Sequence, residues 1–168
     1  PLAERRAQAL SVDQSQLRDL IGDTELRDLL DESVLETVES ELQHLPPRFH
    51  ARSTDAVHDL LLRLGDLSRA EIEARSEAGI AEPAIDELVR TRRAFAVRFA
   101  GGEQRFIAVE DAARYRDAVG VPLPPGLPMT LLEPVVDPIA DLVRRFGRTH
   151  GPFAAKDVSA RLGLGPAV

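Results

Sequence analysis

The stretch RRAFAVRFAGGEQRFIAVED, residues 92–111, decides the fold because it is the part of the chain that shows the apolar alternation of a β-hairpin. Phe95, Val97 and Phe99 fall on one face of its first strand, and its second half alternates in the same way. The glycine pair between the halves predicts a tight turn with positive φ values. Because an isolated hairpin is only marginally stable in water, we expect these three side chains, with one face of the returning strand, to close a helical core.

Three short helices are predicted ahead of the hairpin, and this is the element order of a winged helix. Residues 55–65 carry an apolar stripe that a glycine closes, Ser68 begins a capping box, and Pro83 stands at an early position of the third helix. Another helix is predicted over 110–120, and two more flank a turn at 149–153. The predicted fold class is therefore mainly α with a small antiparallel β wing.

Composition divides the chain into four predicted segments. Residues 1–50 form an acidic helical segment with 11 acids and 5 bases, and residues 51–121 form a winged-helix module with a C-terminal helix. Residues 122–134 are rich in proline, which favours an extended linker. Residues 135–168 repeat a helix–turn–helix order and predict the first half of a second winged-helix module. Because Pro1 is not a natural translation start, we expect a piece of a longer protein.

The overall composition excludes several classes of site. The 168 residues contain no cysteine, so disulfides, thiol nucleophiles and cysteine-based zinc sites are excluded. The four histidines are scattered and none pairs with another at a metal-ligand spacing, so no metal site and no catalytic residue are predicted. The sequence has neither a long apolar run nor a signal peptide, which predicts a soluble, cytoplasmic protein without a membrane partner.

Ten basic side chains are candidates for binding nucleic acid, because arginine and lysine bind phosphate oxygens and a winged helix often presents its third helix and wing to DNA. Five lie around the hairpin and five lie in the last segment. They are Arg90, Arg92, Arg93, Arg98, Arg105, Arg144, Arg145, Arg148, Lys156 and Arg161.

Ion pairing is the alternative role for the five basic residues around the hairpin, because acids are interleaved with them. The third predicted helix itself carries Asp86 and Glu87, which would repel phosphate, so it is a poor recognition helix. The five basic residues of the last segment outnumber the acids near them and are the better candidates for DNA. Contacts from that face would make binding depend on salt.

Four stretches, in the same order, resemble the bacterial large helicase-related proteins (Lhr). They are PLAERRAQAL (1–10), VHDLLLRLGDLS (57–68), RFIAVEDAARYRDAVG (105–120) and THGPFAAKDVSARLGLG (149–165). The resemblance implies a superfamily 2 ATP-dependent DNA helicase with a long C-terminal extension. In this family the extension is an array of winged helices that resembles DNA glycosylases of the AlkZ/YcaQ type, and it is associated with self-assembly.

The same resemblance implies ATP and Mg²⁺ for the parent protein and no cofactor for this segment, since the phosphate-binding motif G-x-x-x-x-G-K-[ST] is absent from it. It implies DNA, as a single strand or a tailed duplex, as the partner of the parent, with other domains of the same chain and further copies of it. Gln14–Gln16 is superficially similar to a glycosylase signature, but its middle residue is polar and no catalytic role is assigned to it.

Two hypotheses for the function remain open. In the first, the segment is a non-catalytic winged-helix part of an Lhr-type DNA-repair helicase that helps to position DNA and links the motor to the extension. In the second, it is an assembly module that mediates self-association or domain packing without direct contact with DNA.

Overall fold

The computed structural model describes residues 31–99 and 102–165, so the helices predicted before residue 31 and the Gln14–Gln16 stretch lie outside the described residues. The chain divides into two units, residues 1–37 and residues 38–168, and the contacts described below belong to the second unit. The α-helices are α1 (Glu32–Leu42), α2 (Thr54–Leu64), α3 (Arg69–Glu73), α4 (Ala81–Arg90), α5 (Ala112–Val119), α6 (Pro138–Thr149) and α7 (Ala155–Leu162). The strands are β1 (Leu67–Ser68), β2 (Ala94–Arg98) and β3 (Gln104–Ala108), and 3-10 turns occupy Pro47–Phe49, Val109–Asp111 and Met129–Leu131.

The helix ends follow the capping residues that the sequence contains. Ser53 caps α2 by accepting a hydrogen bond from the backbone N–H of Ala56, and Gly65 ends that helix with a φ of 91°. Ser68 and Glu71 form the predicted capping box at the start of α3, each side chain bonding the other residue's backbone N–H. These local signals place α2 and α3 of the winged helix where the sequence predicts them.

The strands form a three-stranded antiparallel sheet in the order β1-β3-β2. The hairpin strands β2 and β3 pair with Phe95 opposite Ile107. Strand β1 pairs with the other edge of β3, with Leu67 opposite Phe106. The predicted hairpin is confirmed, and the fold class is mainly α with a small antiparallel sheet. The strand β1 was not predicted, because two residues are too few to show an alternation.

The turn of the hairpin differs from the prediction at Gly102. The backbone N–H of Gly102 donates to the carbonyl of Phe99 at 3.0 Å, which makes Gly102 the last residue of the turn. Its φ lies outside the left-handed range, so the conformation predicted for this glycine is not found. Gly101 lies outside the described residues.

Both faces of the sheet are buried, which corrects the predicted role of the hairpin's first strand. Phe106 lies on the face that packs on α2 and α4. Phe95, Val97 and Phe99 lie on the opposite face and pack with α5, α6 and α7. The prediction that these three close the core of the preceding helices is wrong, because the register places them on the face of Ile107 rather than on that of Phe106.

The helices α6 and α7 belong to the same core as the hairpin. Leu142 of α6 and Val158 and Leu162 of α7 are each about 95% buried. They lie in one apolar cluster with Phe95 and Ile107 on the outer face of the sheet, which is the face opposite Phe106. The segment at 122–134 therefore connects elements that pack on each other. Whether α6 and α7 begin a second winged helix, and where the domain boundaries fall, stay predictions.

Candidate nucleic-acid interface

A buried charged cluster joins α7 to the wing, and we call it the Asp66 cluster: Asp66, Glu71, Arg105, Tyr115 and Arg161. Asp66 follows α2 and is 4% exposed. Its Oδ2 lies 2.9 Å from Nε of Arg161 and 3.0 Å from Nη1 of Arg105, and its Oδ1 accepts a hydrogen bond from the Tyr115 hydroxyl at 3.0 Å. Arg161 also pairs with Glu71 at 2.5 Å. One carboxylate thus holds residues of β3, α5 and α7 together.

The electrostatics of the Asp66 cluster follow from its burial. Burial raises the pKa of the Asp66 carboxyl, while Arg161 and Arg105 act in the opposite direction. Burial also opposes ionisation of Glu71, but the hydrogen bonds from Arg161 and from the backbone of Ser68 outweigh it and lower the pKa of Glu71. Arg105 and Arg161 both pair with Glu71, whose carboxylate stays charged. Neither guanidinium is therefore readily released to bind another ligand.

Tyr115 gives this region a direct spectroscopic probe, since it is the single tyrosine of the chain. Burial, then the neighbouring Asp66, raises the pKa of its hydroxyl well above the ordinary value of 10.0. The unfolded chain releases the Tyr115 proton near pH 10.0. The buried, protonated hydroxyl therefore makes its full contribution to the free energy of unfolding below that pH, and this contribution is lost as the pH rises above it. We expect tyrosinate absorbance to appear only together with the loss of circular dichroism, and the urea-unfolded chain serves as the control. Tyrosinate formation near pH 10.0 in a folded chain would contradict this placement.

A second buried ion pair joins α6 to the turn before α5. Nη2 of Arg145 donates to Oδ1 of Asp111 at 2.8 Å, and Arg114 pairs with the same carboxylate. Asp111 is 2% exposed. Hydrogen bonding to Asp111 outweighs burial and raises the pKa of Arg145, so this guanidinium stays charged. Arg145 is therefore a structural residue of the interface between α5 and α6.

Gln43, just after α1, connects three elements, and the sequence analysis did not identify this network. Its side-chain amide donates to the carbonyl of Thr149 at 2.7 Å, and its oxygen accepts from Nη2 of Arg75 at 2.7 Å. Nε of Arg75 also donates to the backbone carbonyl of Gln43 at 2.7 Å. The partners are separated by 32 and 106 residues, so no local pattern could reveal them.

The ten predicted DNA-binding side chains fall into three groups. The half-buried Arg105, Arg145 and Arg161 belong to the two clusters above. Three others form exposed ion pairs with an acid of the same unit: Arg90 with Glu87, Arg93 with Asp55 and Arg144 with Asp141. The remaining four are exposed and make no ion pair with any residue that the structure describes: Arg92, Arg98, Arg148 and Lys156. Contact with DNA at any of the ten stays a prediction.

Comparison with known proteins identifies the family. Residues 28–134 match the family described as "Large helicase-related protein, winged-helix domain". The chain belongs to the large helicase-related protein family. It is 44% identical over 98% of its length to "Lhr helicase/ probable uracil glycosylase" of Mycolicibacterium smegmatis and 38% identical over its full length to "Lhr helicase/uracil glycosylase" of Escherichia coli. It spans 11% of the length of each of these relatives, and the resemblance seen in the sequence is confirmed.

In this winged helix of the large helicase-related family, α4 takes the position of the recognition helix of a helix-turn-helix. Its outer face carries Glu82, Asp86 and Glu87 against the single basic residue Arg90. Phosphate would be repelled by such a face. The four predicted DNA-binding cations that make no ion pair with a described residue lie beside the hairpin and near the turn between α6 and α7.

His58 of this family member lies under the start of the hairpin, and the sequence analysis assigned it no partner. Nη2 of Arg93 lies 3.2 Å from its Nδ1, and its Nε2 lies 3.2 Å from a carboxylate oxygen of Glu110. Because an arginine only donates, Nδ1 accepts and the proton sits on Nε2, which donates to Glu110. The histidine thus connects α2 to both ends of the hairpin.

Among residues 31–99 and 102–165, no group of three or more histidine or acidic side chains could hold a metal ion. No helix in the described ranges has the length and apolarity needed to cross a membrane.

Proposed function

We propose that this chain is a non-catalytic winged-helix part of an Lhr-type ATP-dependent DNA helicase that works in DNA repair. It links the motor to the C-terminal extension as a rigid body and helps to position DNA. The observation that carries the proposal is the burial of both faces of the wing sheet, with the Asp66 cluster fixing α7 to β3. ATP and Mg²⁺ belong to the motor of the parent, outside this chain.

Rigidity follows from the number of independent connections between the winged helix and the two helices after it. Leu142, Val158 and Leu162 bury apolar surface on the sheet, and two arginine–aspartate pairs cross the same boundary. Removing one partner of a buried ion pair costs about 3–5 kcal/mol. The helices α6 and α7 therefore have little freedom to separate from the winged helix. A rigid connection of this kind would transmit the orientation of the motor to the domains that follow.

The proposed DNA contacts fall on the four of the ten predicted cations that are exposed and make no ion pair with a described residue. Arg92 and Arg98 lie beside the hairpin, and Arg148 and Lys156 lie near the turn between α6 and α7. These side chains are available to phosphate at no cost in broken ion pairs. The buried Arg105, Arg145 and Arg161 are excluded from this role, because their release would leave a buried carboxylate unpaired.

Two double variants test this assignment: Arg92→Gln with Arg98→Gln, and Arg148→Gln with Lys156→Gln. Each removes two phosphate contacts, so the slope of log affinity against log salt concentration should become shallower by about 1.5. We expect the affinity for a tailed duplex at low salt to fall by about tenfold or more. Fluorescence anisotropy over a series of salt concentrations measures both quantities.

The matched control is Arg69→Gln with Arg90→Gln, which removes the same charge from two exposed arginines paired with Glu82 and Glu87. It should leave the salt slope unchanged. If the unaltered chain shows no salt-sensitive binding, the DNA-positioning part of the proposal is wrong. If the control weakens binding as much as the test pairs, the assignment of residues is wrong.

The acidic outer face of α4 favours a second candidate function, assembly or domain packing without DNA. Glu82 and Glu87 are paired with Arg69 and Arg90, but Asp86 makes no ion pair with a described residue and would attract a basic protein surface. The chain as a whole carries a net charge of −7. Light scattering of the parent separates the candidates. A change of its assembly state on Asp86→Arg would support the assembly role, and an unchanged state with weakened DNA binding in the two double variants would oppose it.

A further inference from the structure

An open groove of about 470 Å³ lies between the turn at Pro47–Phe49 and α2. It is distinct from the charged clusters described above. The wall formed by the turn carries three rings: His44, Phe49 and His50. This volume falls within the range of sites that hold small ligands or single side chains of a polymer.

The opposite wall is one face of α2. Ala56, Asp59, Leu60 and Arg63 occur at the spacing i, i+3, i+4 and i+7, so they point to the same side of the helix. Leu60 is 3% exposed and forms part of the floor. Asp59 and Arg63 are exposed, and neither makes an ion pair with a residue in the described part of the chain. The groove therefore has an apolar floor with one free anion and one free cation at its rim.

The rings are held by their neighbours. Phe49 is 37% exposed, its centroid lies 5.6 Å from that of His44, and the guanidinium carbon of Arg48 lies 4.8 Å from it. His44 has a φ of 56°, the left-handed conformation that commonly ends a helix, and the backbone N–H of Leu45 donates to the carbonyl of Ser40 across it. Burial, then the charge of Arg63, lowers the pKa of His44, so its ring is neutral near neutral pH.

We propose that this groove holds a nucleobase of single-stranded DNA, stacked against the rings of Phe49 and His44, with an adjoining phosphate on Arg63. Proteins that bind single strands combine aromatic side chains with flanking cations in this way. Asp59 repels phosphate and therefore faces the base edge, where it accepts a hydrogen bond. The inference rests on the DNA-binding part of the proposed function and adds a second point of contact to it.

Charge and shape favour a base over a protein side chain as the occupant. The walls offer planar rings, and every nucleobase presents a flat face to stack on them. Arg63 makes no ion pair with any residue that the structure describes, and it lies at the mouth of the groove, where the phosphate beside an inserted base would lie. A purely apolar side chain from a protein would leave both Arg63 and Asp59 without a partner.

The test uses a single-stranded oligonucleotide that carries 2-aminopurine, a base whose fluorescence falls when it stacks. The chain contains no tryptophan and its one tyrosine is buried, so the protein contributes little background. In Phe49→Leu, which keeps an apolar side chain, we expect the quenching to disappear and the affinity to fall about tenfold. In Arg63→Gln we expect the quenching to persist and the salt slope to become shallower by about 0.7.

The control for loss of an exposed ring is Phe153→Leu, because Phe153 is 40% exposed and lies outside the groove. It should leave the quenching unchanged, and a thermal melt of each variant excludes unfolding as the cause. Suppose that Phe49→Leu binds the oligonucleotide and quenches its fluorescence like the unaltered chain, while the two double variants of the proposed function bind weakly. The proposal that the groove holds a base is then wrong, and the proposed function stands. If the unaltered chain does not bind single strands or tailed duplexes at all, both are wrong. A change of assembly state in Phe49→Leu without any change in quenching would identify a protein as the occupant.

Discussion

Removal of residues 135–168 is expected to destabilise the winged helix rather than to release it as an independent domain. The cut removes Leu142, Val158 and Leu162 from the outer face of the wing sheet, where Phe95 and Ile107 then meet water. At about 1.5–3 kcal/mol for each large apolar side chain, the three lost partners alone amount to about 5–9 kcal/mol. That is comparable to the whole stability of a small domain, so we expect a largely unfolded or aggregating product.

Urea unfolding followed by circular dichroism measures this effect, and a point substitution separates loss of packing from loss of chain. Leu142→Ala should lower the free energy of unfolding by about 2–5 kcal/mol. Leu62→Ala, at a leucine that is 37% exposed, is the matched control and should cost less than about 1 kcal/mol. A truncated chain that unfolds cooperatively at the original urea midpoint would show that α6 and α7 are not part of this core.

Asp66→Ala is expected to be the most damaging single substitution of a charged residue. It leaves Arg105 and Arg161 with Glu71 as the one anion that they still share, and it removes the acceptor of the Tyr115 hydroxyl. Loss of one partner from a buried ion pair costs about 3–5 kcal/mol, because two guanidinium groups are then left with one carboxylate in a medium that solvates charge poorly. We expect a loss of that size in urea unfolding.

Two further variants make the Asp66 prediction specific. Asp86→Ala removes an exposed aspartate from α4 and should change the free energy of unfolding by no more than about 0.5 kcal/mol. Arg161→Met placed on top of Asp66→Ala should restore part of the loss, because it removes one of the unpaired charges. Equal costs for Asp66→Ala and Asp86→Ala would mean that the Asp66 cluster does not hold α7 in solution.

Local signals were sufficient to predict the hairpin and the ends of its neighbouring helices. Ser68 and Glu71 are three residues apart, and Gly65 stands directly after an apolar stripe, so their interactions can be read within one turn of chain. The two-residue strand β1 could not be predicted, since it exists only through its pairing with β3. The face on which Phe95 packs could not be predicted from the local pattern, because it depends on contacts with α5, α6 and α7, which all follow the hairpin in the chain.

The roles of the basic residues depended on long-range pairing in the same way. Arg161 and Glu71 are 90 residues apart, and Arg105 and Asp66 are 39 apart, so their ion pairs leave no trace in the local composition. The acids around Arg90 did indicate its pairing with Glu87, which lies on the same helix. Sequence patterns thus selected the basic residues as candidates, but the fold was needed to divide them into those held in buried ion pairs and those that are exposed and unpaired among the described residues.

The most direct test of the account is a structure of a parent Lhr protein from this family bound to a tailed duplex. The account predicts phosphate oxygens within hydrogen-bonding distance of Arg98, Arg148 or Lys156, while Arg145 and Arg161 stay on their buried aspartates. DNA that runs along the acidic face of α4, or that passes this segment without touching it, would contradict the central claim.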